Sequence, residues 1–482
     1  MAMLAKLAVL AGMALPLYAQ TADEQIAAHA KAALAAERQN DFPAAVRNYE
    51  YLARAFPHNA EVLSNLGVAF YLNQELNRAI DVFAQAMRLD PNLLTPHLFS
   101  GLALYRLTNP DAAVPELEKA VHMQPSDVVA HTWLGYAYVA QSRYDAAVNE
   151  FQAACHLAPD NVDAWYALGQ SYLQIGRDAT LKLLTIAPDG GRAWQLAGEQ
   201  FQLRGDREKA LEDFKEASKR RPDLPELRAL VAEMGGTVTS TPDTEHNPSG
   251  QEDDLYRQAH AAEQNARRAF ERVVQLAPDS YRAHQIVADS LVAEQRYDEA
   301  TQEYGTVLKL KADLPGIHEA MGNSFVQRGK LAEALKEFQA EIQIQPRSAT
   351  AHMNAGRVLL MMGDDDGAGK MLSDALSMDR PPLESYFLLG KLYLRRNDYR
   401  AAITALTHYL STEKDASSAY YLLARAYRAV GEKEQMNRAL DLYKKTSQDA
   451  KERNRAQKDL EPSDDKAIAN DQSVDLMHTA TH

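Results

Sequence analysis

Trp165-Tyr166-Ala167-Leu168-Gly169-Gln170-Ser171-Tyr172 sets one small residue, Gly169, among bulky ones at helical spacing, and the chain repeats the arrangement. Leu134-Gly135 is followed by Tyr138, Leu66-Gly67 by Phe70, Met321-Gly322 by Phe325 and Leu389-Gly390 by Tyr393. A second pattern trails the first: Ala147, Phe151, Ala154 and Pro159 after Tyr138; Ala79, Phe83, Ala86 and Pro91 after Phe70; Ala334, Phe338 and Pro346 after Phe325; Ala402 after Tyr393. Pro57, Pro91, Pro125 and Pro159 stand 34 residues apart, each closing one apolar stretch and preceding the next. Small residues on both stretches let two backbones approach closely, and proline stops the second because it cannot continue the hydrogen-bond ladder.

The period and the residues at it resemble the tetratricopeptide-repeat family, whose first helix reads W-x-x-L-G-x-x-Y and whose unit is two antiparallel helices. The resemblance implies an all-α fold, a right-handed superhelical solenoid of about ten or eleven units, some degenerate. Units stack because one helix pair cannot bury its own apolar face. It further implies that ligands lie against the first helices. The side chains projected there are Tyr71, Leu98, Tyr105, Tyr136 and Tyr166, a tyrosine-rich strip suited to extended peptide. Gln170, Gln195, Glu199 and Gln202 then make a polar stretch, and Asn323, Arg357, Lys391, Arg395, Arg425 and Arg428 a more basic one.

Two units depart from the period. Pro188 arrives five residues early, and Pro278 does the same. Asp163–Asp189 and Asp253–Asp279 are equally long, each ending Ala-Pro-Asp, and Arg192-Ala193-Trp194-Gln195 matches Arg282-Ala283-His284-Gln285. This reads as an internal duplication in which the two helices of a unit either merge or tighten. Gly235 to Asp254, without Lys or Arg, reads as a flexible acidic linker between arrays at 20–234 and 255–443. Residues 444–460 read as a polar capping helix and 461–482 as a disordered tail.

The 482 residues carry a formal charge of −14, against the basic face that nucleic acid needs. Residues 383–459 hold 15 Lys and Arg against 10 Asp and Glu, a local +5 on a chain otherwise at −19. The sole cysteine, Cys155, sits at core spacing and forms no intrachain disulfide. Residues 1–19 read as a signal peptide: Lys6, the apolar run Leu7 to Leu17, then Ala19 at a cleavage position. That predicts an exported protein, periplasmic, envelope-associated or secreted. No apolar run reaches transmembrane length.

Catalytic and metal signatures fail on inspection. His318-Glu319 opens like a zinc-protease motif, but Gly322 stands where the second histidine belongs. Gly363 to Lys370 has Asp364 where a phosphate loop needs glycine, and Ser373 where a calcium loop needs glutamate. No Gly-x-Ser-x-Gly occurs. His97, His284, His318 and His352 share one repeat position and read as packing residues. The expectation is a non-catalytic scaffold without cofactor or metal, binding proteins or peptides, including an acidic segment or a C-terminus at the basic end. A targeting subunit for an enzyme such as a glycosyltransferase, or a self-associating rod, are the alternatives.

Overall fold

The computed structural model describes residues 23–203, 205–237, 250–378, 380–414 and 416–458, and these contain helices and turns without a strand. A first helix, α1, covers residues 23–38. Helix pairs then follow in order: α2 (Phe42–Ala55), α3 (Ala60–Leu72) with α4 (Leu76–Leu89), α5 (Leu94–Arg106) with α6 (Pro110–Met123), and α7 (Val128–Ala140) with α8 (Tyr144–Leu157). After the long α9 (Val162–Ile186) come α10 (Gly191–Leu203), α11 (Arg207–Arg220) and α12 (Pro225–Glu233). The second long helix, α13 (Gly250–Leu276), leads into α14 (Tyr281–Ala293), α15 (Tyr297–Leu310), α16 (Ile317–Gln327) and α17 (Leu331–Ile344). The last are α18 (Ala349–Met362), α19 (Asp365–Leu376), α20 (Glu384–Arg395), α21 (Tyr399–Thr412), α22 (Ser417–Val430) and α23 (Lys433–Lys458).

One device reverses the chain within a unit. Asn40, Gln74, Thr108 and Ser142, 34 residues apart, all have positive φ, as do Gln295, Gly329, Gly363, Asn397 and Gly431 at the same spacing. In several units the following helix is capped by a side chain: Asp41, Asn109, Asp206, Asp364 and Asp398 each accept from the backbone N–H three residues on. The first helix of each unit meets the second at the repeat glycine. A Cβ on Gly135 would fall 2.6 Å from the Phe151 ring, and one on Gly322 would fall 2.7 Å from Phe338. Gly198–Phe214, Gly356–Leu372 and Gly390–Leu406 repeat the contact.

The next position in the first series of turns is residue 176, and there the chain does not turn: α9 runs through Gly176 as one 25-residue helix. The duplicated stretch forms the 27-residue α13. Of the two outcomes left open by the shortened units, merging is the one observed. Gly169 on α9 therefore has no partner sixteen residues on, and Phe270 of α13 fills the place, 2.5 Å from where its Cβ would be.

The helices group into two compact units that interleave along the chain. Among the described residues, one takes those up to Gly176, His260–Val287 and Gly305–Ala312; the other takes those of Arg177–Ala259, Ala288–Tyr304 and those from Asp313 on. The expected division into arrays at 235–254 is thus corrected, because each long helix gives its two ends to different units. In the first unit Asp163 of α9 pairs with Arg282 of α14 at 2.7 Å. In the second the duplicated residues make the equivalent pair, Asp253 of α13 with Arg192 of α10 at 2.6 Å.

That second pair also corrects the linker. Gly250–Asp254 are helical, not linker; Glu252 is 1% exposed and accepts from the Arg192 N–H at 2.8 Å. Asp253 takes two hydrogen bonds of 2.9 Å from Arg221, whose 2% exposure demands a carboxylate partner. Residues 238–249 of the expected linker lie outside the described residues, as do the signal peptide at 1–19 and the tail at 461–482. The expected cap at 444–460 is not a separate helix, since α23 runs unbroken from Lys433 to Lys458. Cys155 is buried in the core of the first unit, where burial pushes its thiol up to about 12.

Candidate functional site

In the first unit the first-helix residues bring a row of rings together. Tyr71 meets Phe99 edge-on at 5.3 Å, with the Arg106 guanidinium 5.3 Å from its ring centre. Tyr105 meets Trp133 at 5.5 Å, Trp133 meets Tyr136 at 5.7 Å, and Tyr136 rests on Phe151 at 5.2 Å. Tyr71, Tyr105, Trp133 and Tyr136 are all half-buried, the state in which an aromatic ring is held by its own fold and still offers a face. Burial pushes the Tyr136 hydroxyl up to about 12 and raises Tyr105 in the same way, so both stay neutral donors.

Two residues projected onto this strip belong elsewhere. Leu98 is 8% exposed and packs in the core, on the face of α5 turned toward α6 and α7. Tyr166 is 7% exposed: the Arg282 guanidinium covers its ring at 4.3 Å and its hydroxyl accepts from Gln170 at 2.7 Å. The cover comes from a residue more than a hundred positions away, which helical periodicity cannot register. The same distance hid a charged cluster near Tyr136. The Tyr281 hydroxyl donates to Asp163 at 2.5 Å, and Lys311 donates to that hydroxyl at 3.3 Å. Trp133 was legible as a first-helix aromatic four residues before Ala137, yet was missed among the tyrosines around it.

In the second unit Asn323, Arg357, Lys391 and Arg425 occupy one repeat position, each directly after the small residue of close approach. Their surroundings differ. Asn323, Arg425 and Arg428 are exposed, and neither arginine has an ion pair among the described residues. Arg357 is enclosed, donating to Asn354 and lying 3.6 Å from Glu384, so it does not face a groove as expected. Lys391 lies over the Phe387 ring at 5.2 Å. Arg395 donates to the Leu360 carbonyl at 2.7 Å and pairs with Asp365 at 3.1 Å. The expected quartet of cations therefore reduces to two that are uncommitted. Close by, Glu319 accepts from Asn354 at 3.0 Å, and burial together with Glu341 pushes its carboxyl up to about 7.

Among the described residues no cluster of His, Cys, Asp and Glu has the makings of a metal site, and no helix is long and apolar enough to cross a membrane.

The profile described as "TPR repeat" matches residues 135–176 and 322–363, and the one described as "Tetratricopeptide repeat" matches 30–93 and 387–445. No curated protein matches the chain. Among solved structures, MamA of Desulfovibrio magneticus is 24% identical over 30% of this chain and 83% of its own, with a TM-score of 0.30. A thermophilic TPR protein of Thermus thermophilus is 15% identical over 56% of this chain and all of its own, with a TM-score of 0.35. With the matched segments spread along the chain and the same glycine contact closing unit after unit, the chain belongs to the tetratricopeptide-repeat proteins.

Proposed function

We infer that the chain is a non-catalytic scaffold of the periplasm or cell envelope that holds partner proteins by extended segments laid along the aromatic row of its first unit. The observation that carries this reading is the run of half-buried rings at Tyr71, Tyr105, Trp133 and Tyr136, each pinned by a neighbouring ring. Pinned rings lose little freedom on binding, so their contact area goes into affinity. The test is capture of partners from envelope extract with the chain lacking residues 1–19, against a Tyr105→Ala, Tyr136→Ala variant. Loss of a defined set of partners, with the helical content of the variant unchanged, supports the strip; an identical capture pattern removes it.

A second reading rests on Arg425 and Arg428, which are exposed and without an ion pair among the described residues and so suit an acidic partner segment. There Arg425→Glu with Arg428→Glu removes binding that fades with salt. Export is supported by Lys6, the apolar run to Leu17 and Ala19. Sequencing the native N-terminus from an envelope fraction tests it, and an intact Met1 in a cytoplasmic fraction overturns it.

A further inference from the structure

Several units bridge their two helices with the same polar latch. Nδ1 of His97, His131 and His318 lies 2.5, 2.6 and 2.6 Å from Glu116, Glu150 and Glu337, in each case nineteen residues on. His29 reaches Asn48 at 2.8 Å across the same separation. In two of them the other ring nitrogen faces the carbonyl of the preceding turn, Pro91 at 3.2 Å and Pro125 at 3.0 Å.

In the pair α10 and α11 this spacing falls on Trp194 and Asp213, and the latch is broken. Asp213 is 0% exposed, and among the described residues neither of its carboxylate oxygens has a hydrogen-bond partner; the Trp194 indole nitrogen is buried and equally unpartnered there. Aspartate is one methylene shorter than the glutamate of the intact latches, and the indole carries a single N–H on a larger ring. The other deeply buried carboxylates are held. Glu341 accepts from the backbone N–H of Gly316 at 2.8 Å, and Glu252 from that of Arg192.

Nothing opposite Asp213 offsets its charge. The charges acting on it are Glu212 and Glu216, both on α11 itself and both opposing ionisation. The helices packed on α11 bring Trp194 from α10, and Leu227 and Val231 from α12; the nearby cations are committed elsewhere, Arg192 of α10 to Asp253 and to Glu226 of α12, and Arg220 at the end of α11 to Glu216 and to the Trp194 ring at 4.9 Å. Arg221, which caps the C-terminal end of α11, is the residue that grips Asp253 of α13.

We propose that Asp213 is a proton-operated catch on the α10–α12 segment, which packs closed while the carboxyl carries its proton and loosens when the proton leaves. Loosening draws Arg221 away from Asp253 and uncovers Trp194, Phe214 and Leu227. Burial first, then the two glutamates, push the carboxyl up to about 7, against roughly 4 for an aspartate in an unfolded chain. A group raised on folding stabilises fully below its unfolded value, and that stability is lost as pH rises through the folded one. Opening therefore belongs to the neutral and alkaline side.

Hydrogen exchange on the full chain at pH 5 and pH 8, corrected for intrinsic rates, tests the catch, with residues 207–233 as the probe and α20–α21 as the reference. Opening of the probe is expected to rise on the order of a hundredfold between the two pH values, with the rise absent in Asp213→Asn. A flat wild type, or an equal rise in that variant, overturns the proposal. Should Asp213→Asn fail to fold, the pair Trp194→His with Asp213→Glu rebuilds the latch and is expected to flatten the response. Carboxyl NMR is expected to show two groups titrating near neutrality, Glu319 and Asp213, of which Asp213→Asn removes one; a spectrum in which that variant loses no such signal also overturns the proposal.

Discussion

At the scale of single residues the fold is governed by close approach and by handedness. The turn inside each unit needs a left-handed residue, yet Thr108 fills it at φ 58°, where a β-branched side chain is strained. Thr108→Gly is expected to stabilise the first unit by about 1 kcal/mol, read as a higher denaturation midpoint at constant slope. The opposite is expected of Gly135→Ala. Its methyl would meet a Phe151 ring that is itself fully buried, so about 2 kcal/mol should be lost. Asp253 shows what a partner does for a buried charge. The hydrogen bonds of Arg221, and then of Arg192, hold its carboxyl down at about 2 despite partial burial. A carboxyl lowered on folding stabilises above its unfolded value of roughly 4, and that contribution fades as pH falls toward 2. Asp253→Ala should destabilise the second unit by about 1.5–3 kcal/mol: Arg221 keeps its two hydrogen bonds to Asp223, but its bonds to Asp253 and that of Arg192 are lost. It should also flatten the acid limb of a stability profile measured by denaturant titration between pH 2 and 6.

At the scale of elements, the ordinary units were legible almost helix by helix, since the period places both the small residue of close approach and the ring that fills it. The shortened stretches were legible as a duplication and no further. Gly176 with Arg177 and Asp178 has the composition of a turn, and only the five missing residues argue against one. What replaces the turn is a pairing across 101 residues, the Gly169 face of α9 against Phe270 of α13. Phe270→Ala is expected to destabilise the first unit by about 3 kcal/mol. The diagnostic readout is hydrogen exchange: protection should fall over residues 162–172, far from the mutation in sequence. If it falls only around residue 270, the pairing is not the one that holds α9. The strip shows the same limit, since Tyr105 and Tyr136 were legible from helical spacing while the Arg282 that covers Tyr166 was not.

At the scale of the whole molecule, each compact unit takes segments from both sides of residues 238–249. A chain cut there should therefore stay together. After limited proteolysis and size-exclusion chromatography without denaturant, the two fragments are expected to co-elute as one species, separating only when denaturant is added. Two independently migrating fragments would mean that Asp163–Arg282, Gly169–Phe270 and Asp253–Arg221 are not the contacts that organise the units. The acidic, cation-free composition of Gly235 to Asp254 marked a boundary, but not what lies on either side of it. Composition reports whether a segment can bury itself, not which distant helix it helps to bury.

The sequence by itself determined the helix pair as the building unit, its period, its turn and its family, because all of these follow from contacts within about one repeat. Side chains sixteen or nineteen residues apart meet in almost every unit, so local spacing is enough to find them. Only the tertiary structure decided that two merged helices serve two units each. It alone showed that Glu252 and Asp253 are anchors, that Leu98, Tyr166 and Arg357 are enclosed, and that Asp213 is buried without a partner among the described residues. Those outcomes depend on which surfaces remain to be covered once the regular units have stacked. That is a property of the assembled core, and no window of sequence contains it.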